Sequence, residues 1–333
     1  MGIKNLNTFL QKNASQGIKV DDISSLQGKS LAIDTSIFLY KFMYSGRFID
    51  NFLSQVSHLR SFNITPIYIF DGAPPKEKQE ILNQRKEQKE KMYCKLDELY
   101  EKIKNMKNEG LDVKKLEKDY QAMKRKCISI SRDDIINLKN VFDIFAVSYI
   151  QADSEADLLC CELYKKGVVQ GCMSNDMDFL PSGCGVLIRN YNLSNMITVY
   201  NLETILGSLE MTYDQFVDFC ILCGCDYSPK IPRLGAITAF NYIKKEKDIE
   251  TILEKYCGEG KKFKMPDNFD YENSRLLLKN GNIKEPLTWK IKNEKNKVKP
   301  VSDLDSTQLS YIKSMTRFKD AKFNSVIQKI CAT

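Results

Sequence analysis

Short apolar runs that stop at an acidic residue set the rhythm of the first half of this 333-residue chain. Lys29-Ser-Leu-Ala-Ile33 runs into Asp34, and Pro66-Ile-Tyr-Ile-Phe70 runs into Asp71. Further runs follow at Phe145–Ile150, Val168–Met173 and Val186–Ile188. Ile37, Tyr40, Phe42 and Tyr44 give Ser36–Leu59 a helical pattern that Gly46 interrupts, and Ser154–Lys166 reads as another helix. Apolar strands alternating with helices predict an α/β fold, with a mostly parallel sheet covered on both faces.

Residues 76–126 follow a different pattern. Apolar positions recur at Met92, Leu96, Leu99, Ile103 and Met106, then at Val113, Leu116, Tyr120 and Met123, with Asn108-Glu-Gly110 between them. This predicts two antiparallel helices in a hairpin. The segment holds 16 Lys/Arg and 11 Asp/Glu, so +5 of the chain's formal +7 sits here. Taken alone, such a stretch is a solvated protrusion. From Tyr213 the chain is helical, with Phe216, Val217, Phe219 and Cys220 on one face. The turn-rich stretch Gly224–Gly235 leads into a helix ending near Lys245. Residues 257–300 are lysine-rich and weakly periodic, and 305–330 are helical again.

Composition acts mainly by exclusion. Hydrophobic residues at 43% and charged residues at 28% describe a soluble globular chain. No run approaches the ~20 apolar residues that span a bilayer, so no membrane role is expected. The start, MGIKNLNTFLQK, lacks the apolar core of an export signal, so an intracellular, non-secreted protein with reduced thiols is expected. Cys220, Cys223 and Cys225 read as buried thiols, because no second cysteine pair has zinc-ribbon spacing. His58 is the sole histidine, which excludes Ser-His-Asp and Cys-His catalysis and His-rich zinc sites.

Carboxylates therefore carry the candidate chemistry. Asp34 and Asp71 end strands, where ligands gather in an open parallel sheet. Ser154-Glu155-Ala156-Asp157 opens a helix, Asp176-Met177-Asp178 follows a strand run, and Asp226 lies in a Gly-Cys-Asp-Tyr turn. Singly, each is an ordinary cap or turn residue. In one crevice they need cations among them, since two carboxylates 4 Å apart repel by about 4 kcal/mol at an effective dielectric of 20. Oxygen ligands suit Mg²⁺ or Mn²⁺ rather than zinc. Two such ions ~4 Å apart can clamp a phosphodiester, activate a water and stabilise the leaving oxygen.

These residues resemble the flap structure-specific endonucleases, the XPG-like 5′-nuclease superfamily. The likeness rests on Met1-Gly-Ile3, Ala32-Ile-Asp34-Thr-Ser36, Phe70-Asp71-Gly72 with Pro74-Pro75, Ser154-Glu155-Ala156-Asp157, Asp176-Met177-Asp178 and Leu222-Cys-Gly-Cys-Asp-Tyr227. These patterns stand in family order across residues 1–256. The resemblance implies a PIN-like, mostly parallel sheet flanked by helices, with a helical arch and a helix–two-turn–helix DNA-binding motif. It divides the chain into nuclease segments 1–75 and 131–212, an arch at 76–130, a helix–two-turn–helix region at 213–256 and a helical tail at 257–333.

The resemblance also implies residue roles. Asp34, Asp71, Glu155, Asp157, Asp176, Asp178 and Asp226 would hold two Mg²⁺ ions, for which Mn²⁺ would substitute. Asp157 stands where cellular members usually have glutamate. Lys78 and Arg85, seven residues apart, would meet the scissile phosphate and act in catalysis with Asp178. Gly2, Tyr40, Arg47, Arg233 and Gly235 join them as DNA contacts; Tyr40 would stack on a base, a core tyrosine being the alternative. Arg233 replaces the first glycine of the family's Gly-x-Gly hairpin, which leaves a K⁺ site there open.

The implied activity is that of a Mg²⁺-dependent 5′ flap endonuclease and 5′–3′ exonuclease. Its partner is DNA with a 5′ flap or branched junction, in replication, repair or recombination. The short stretch between Arg47 and Pro66 implies a reduced pocket for a 3′ flap. No sliding-clamp box is found at Ile330-Cys-Ala-Thr333, which is compatible with a viral or divergent member, and a monomer is expected. The expected location is the nucleus for a cellular eukaryotic protein, or the cytoplasm for a viral one. The alternatives are a PIN-like 5′ RNase and a non-catalytic junction-binding protein.

Overall fold

The computed structural model describes residues 2–74, 79–280, 289–293 and 300–332, and of residues 79–82, 84, 85, 126 and 280 the backbone alone. Its centre is a seven-stranded sheet. The strands are β1 (Ile18–Asp22), β2 (Ser30–Asp34), β3 (Thr65–Phe70), β4 (Ser148–Gln151), β5 (Gly171–Met173), β6 (Val186–Arg189) and β7 (Met196–Asn201). They lie in the order β1-β7-β6-β5-β2-β3-β4. The five from β6 to β4 pair in parallel, and β7 runs antiparallel to both β6 and β1.

Burial on both faces follows from the period of two. In β2, Ala32 joins one core while Leu31 and Ile33 join the other; in β3, Ile67 and Ile69 point opposite to Tyr68 and Phe70. Helices α1 (Leu6–Asn13), α7 (Ala156–Lys165), α8 (Leu202–Leu209), α9 (Tyr213–Cys223), α10 (Ala236–Glu246), α11 (Ile249–Tyr256) and α12 (Tyr271–Asn280) feed the first core. Helices α2 (Thr35–Tyr44), α3 (Phe48–Ser61), α6 (Arg132–Ile144), α13 (Ser306–Met315) and α14 (Asp320–Cys331) feed the second. There Phe52 is fully buried with its ring 4.9 Å from Phe42 and 6.0 Å from both Tyr68 and Phe142. The buried Arg60 guanidinium donates to the carbonyls of Phe145 (3.1 Å), Ala146 (3.0 Å) and Ile330 (2.9 Å), tying α3 to the ends of α6 and α14.

The expected hairpin is present as α4 (Gln79–Asn108) and α5 (Lys114–Lys126), inserted between β3 and β4. Leu96, Ile103 and Val113 are buried along it, and Lys107 pairs with Glu117 at 2.7 Å. Gly46, at φ +68°, splits Ser36–Leu59 into α2 and α3.

Other boundaries differ from the sequence expectation. Phe145 closes α6 and Ala146 turns at φ +48°, so β4 begins only at Ser148. Of Val168–Met173, the last three residues alone form β5. The antiparallel strands β1 and β7 have no counterpart in the reading of the sequence. All eleven cysteines are free, and Cys220 and Cys223 are buried as expected.

Candidate active site

The strand order places the carboxyl ends of β2, β3, β4 and β5 along one edge of the sheet, and the acids cluster there. Asp34 ends β2 and caps α2, accepting from the Ser36 amide at 3.1 Å. Ser174, just past β5, donates its hydroxyl to Asp34 at 2.9 Å. The Ser36 hydroxyl donates to Asp71, which follows β3, so one serine bridges two acids. Asp71 also accepts from the Ala156 amide at 2.8 Å, at the N-terminus of α7, where the helix dipole favours an anion. That close approach requires Gly72: its amide bonds the Ser154 carbonyl at 2.6 Å, and a Cβ there would lie 2.2 Å from the Ala152 carbonyl.

Glu155 and Asp157 open α7, and the Tyr227 hydroxyl reaches across to Glu155 at 3.0 Å. Burial, then the Asp157 and Glu155 carboxylates, push the Tyr227 phenol well up, so it stays a donor. Its neighbour Asp226 sits half-buried in a turn that the Lys4 amide holds through the Gly224 carbonyl, 3.3 Å away. Asp176 takes the Asp178 amide at 3.1 Å, and the buried Asp178 takes the Ile3 amide at 2.7 Å. Residues 2–4 thus lie beside the acids. A Cβ on Gly2 would lie 2.0 Å from the Asp176 Oδ1 and 2.6 Å from the Asp178 Oδ1.

Several supporting residues escaped the reading of the sequence. Arg189 donates to Asn7 at 2.8 Å, to the Tyr200 hydroxyl at 3.2 Å and to the Asn175 carbonyl at 2.9 Å, bracing the loop that carries Asp176. Gln151 donates to the Asp71 carbonyl at 2.6 Å and accepts from Lys139 at 2.6 Å. The one available signal was position, since Ser36 and Ser174 each stand two residues from an acid.

Two sequence patterns place the chain among known proteins. The XPG N-terminal domain matches residues 1–92 and the XPG I-region matches residues 146–226. A flap endonuclease 1 of Cryptosporidium parvum is 32% identical over 362 residues, covering 99% of this chain and 70% of that relative. The chain belongs to the XPG-like family of structure-specific 5′ nucleases. A flap endonuclease 1 of Cryptosporidium muris is 34% identical over 315 residues, and the match spans 85% of this chain and 63% of that relative's length. The catalytic core of Rad2 in complex with DNA substrate has the same fold, with a TM-score of 0.71 at 18% identity over 99% of this chain and 100% of that one. The Holliday junction-resolving enzyme GEN1, in complex with product DNA and Mg²⁺, aligns at a TM-score of 0.61 and 16% identity over 96% of this chain and 77% of that one.

Within the XPG-like fold, the donor chemistry can be set against a hard cation. Among the described residues, no group of three or more His, Cys, Asp or Glu side chains is drawn together closely enough to hold a metal ion. Mg²⁺ does not need such a cage, because it keeps several waters and uses one or two carboxylates. Burial, then the neighbouring Asp71 carboxylate, push Asp34 up to about 7. That shift shows that the charged carboxylate is disfavoured there without a neighbouring cation, and the oxygen-only donor set fits Mg²⁺.

The remaining expected contacts of this XPG-like chain are scattered. Lys78 lies outside the described residues, as does the side chain of Arg85, whose backbone is in α4. Tyr40 is 58% exposed, which removes the core-tyrosine alternative. Arg47 is half-exposed and lies 3.5 Å from the buried Asp50. His58 contacts the Tyr191 hydroxyl at 2.8 Å and Asn195 at 3.1 Å, bracing the β6–β7 connection. Gly235 caps α10. Arg233 is exposed at φ +65°, a conformation that strains any residue but glycine. Arg233→Gly is expected to raise the unfolding midpoint by about 2 °C, which a thermal melt reads. A lower midpoint would show that the turn carries no strain.

Proposed function

We propose that the chain hydrolyses DNA phosphodiesters at 5′ flaps and branched junctions as a Mg²⁺-dependent nuclease. The observation that carries this reading is the gathering of acids at the carboxyl ends of four parallel strands, with Ser36 and Ser174 joining Asp34 to its neighbours. Asp34, Asp71, Glu155, Asp157, Asp176, Asp178 and Asp226 would hold the ions. Bound there, Mg²⁺ supplies Lewis-acid polarisation of a phosphoryl oxygen and a water made nucleophilic near neutral pH.

The protein's own groups do the positioning. Ser36, Ser174 and the amides of Ile3 and Ala156 fix carboxylate oxygens before substrate arrives, so little reorganisation is left for the reaction. Lys78 and Arg85 would meet the scissile phosphate and offset the charge that develops on it. Tyr40, exposed on the helix that leaves Asp34, would stack on a base near the cleaved bond. Gly2 leaves room for close packing around Asp176 and Asp178. Arg47, Arg233 and Gly235 would contact phosphates, Arg233 by its guanidinium in place of a K⁺-supported backbone contact. The excess of cations makes binding salt-dependent.

Among the described residues, no helix is long and apolar enough to cross a membrane. The two Cryptosporidium relatives are eukaryotic, and a nuclear, monomeric protein working in DNA replication or repair fits them.

Cleavage of an end-labelled panel tests the reading. With Mg²⁺, 5′-flap DNA should be cut near the junction, at least about tenfold faster than single-stranded DNA, and EDTA should stop the reaction. Faster cutting of the matching RNA flap would favour the 5′ RNase, and flap binding without cutting would favour a junction-binding protein.

A further inference from the structure

Asp71 is fixed twice, once through its side chain and once through its main chain. Its carboxylate accepts from the Ser36 hydroxyl and from the Ala156 amide at 2.8 Å. Its carbonyl accepts from the Gln151 side-chain amide at 2.6 Å. The next amide, that of Gly72, donates to the Ser154 carbonyl at 2.6 Å. The peptide plane after Asp71 is thus held both at its carbonyl and at its N–H. A swing of that plane would turn Asp71 away from Asp34, its neighbour through Ser36.

The Gln151 side chain is itself anchored. β4 closes one edge of the sheet, and Gln151 is its last residue, in register with Phe70. The Gln151 Oε1 accepts from the Lys139 ammonium of α6 at 2.6 Å. A lysine only donates and a carbonyl only accepts, so the amide between them has one satisfactory orientation. The Lys139 Nζ lies 4.7 Å from the ring centroid of Phe70 and 5.8 Å from that of Tyr149. Burial lowers the Lys139 pKa, and the Asp143 carboxylate opposes that shift. Asp143 is occupied by Asn293 at 2.9 Å and by the Tyr149 hydroxyl at 3.4 Å. A half-buried ammonium costs desolvation that an apolar side chain would not, so packing alone does not call for lysine here. Its charge strengthens the hydrogen bond that the far end of the amide gives to Asp71.

We propose that Gln151, polarised by Lys139, is a positioning residue that sets Asp71 for the divalent ion. The inference rests on the nuclease reading above and adds to it two residues outside the acid cluster. Mg²⁺ uses one or two carboxylates and demands near-octahedral geometry, so a turn of one acid is felt as lost metal affinity. The sign of the effect separates positioning from simple charge. A cation near the acids repels a divalent ion, so removal of Lys139 would tighten metal binding if charge were its whole effect. Acting through Gln151, its removal weakens binding instead.

Mn²⁺ titration of the metal-free full chain, read by electron paramagnetic resonance, tests this without catalysis. Gln151→Met keeps the side-chain length but removes both hydrogen bonds, and it is expected to raise the Mn²⁺ dissociation constant by about tenfold. Lys139→Met should raise it by about threefold, and Lys139→Arg by less than about twofold. The double variant, Gln151→Met with Lys139→Met, should bind no more weakly than Gln151→Met alone, because Lys139 acts through the amide.

Flap affinity in EDTA should stay within about twofold in every variant, which shows that each is folded. About tenfold more Mg²⁺ should restore the turnover of Gln151→Met. Unchanged Mn²⁺ affinity in Gln151→Met, tighter binding in Lys139→Met, additive losses in the double variant or a parallel fall in flap affinity would overturn the proposal. An unaltered chain that binds no Mn²⁺ and cuts no flap would instead overturn the nuclease reading itself.

Discussion

Asp178→Ala is expected to lower the turnover of a flap substrate by about 10³-fold or more while leaving flap affinity in Ca²⁺ within about threefold. The estimate follows from losing a ligand to an ion that supplies several kcal/mol of transition-state stabilisation, with each 1.4 kcal/mol worth about tenfold. The site adds a second reason. Asp178 is buried and accepts the Ile3 amide at 2.7 Å, so its loss also frees the N-terminal residues that line the acids. Single-turnover kinetics beside anisotropy would separate these contributions. Turnover close to that of the unaltered chain would remove Asp178 from the metal site.

Gly2→Val should produce the second-largest loss, about 10²-fold in turnover with flap affinity little changed. Gly2 sits at φ +79°, where an L-residue is strained by roughly 1–2 kcal/mol. Its added carbon would meet the Asp176 Oδ1 at 2.0 Å. A free carboxylate could swing aside, but Asp176 is held by the Asp178 amide and Asp178 by the Ile3 amide, so relief at one acid disturbs the other. Gly2→Ala should show the same effect in smaller degree. Unchanged turnover in both variants would mean that the N-terminal residues can leave the site freely.

The sheet and its acids were legible because each signal is local. A strand that is buried on both faces is apolar throughout, as in Leu31–Ile33, and the acid that ends it marks its carboxyl end. The hairpin was legible for the same reason, since its periodicity is long and uninterrupted. The strands β1 and β7 were not, because Ile18–Asp22 has two acids and one exposed valine in five residues, and its pairing partner lies some 180 positions away. Ser36 and Ser174 were equally hidden as a pair. Nothing within either segment indicates that Ser174 will meet Asp34, which is 140 positions earlier. Arg233 was legible as a departure from a glycine pattern, but its left-handed backbone had to be seen. Sequence exposes what one element dictates about itself, and it conceals hydrogen bonds that depend on how elements are brought together.

The Arg60 guanidinium bears on how the chain reaches its native state on the ribosome. One of its three carbonyl acceptors belongs to Ile330, and α14, which packs on α3, spans Asp320–Cys331. While those residues are still within the exit tunnel, a charged group bound for the interior lacks part of its hydrogen bonding, and the hydrophobic layer around Phe52 lacks one wall. The N-terminal half can form strands and helices as it emerges, but closure of that layer waits until Asp320–Cys331 has cleared the tunnel. Nascent chains stalled before residue 320 would accordingly remain open to protease on the α3 side.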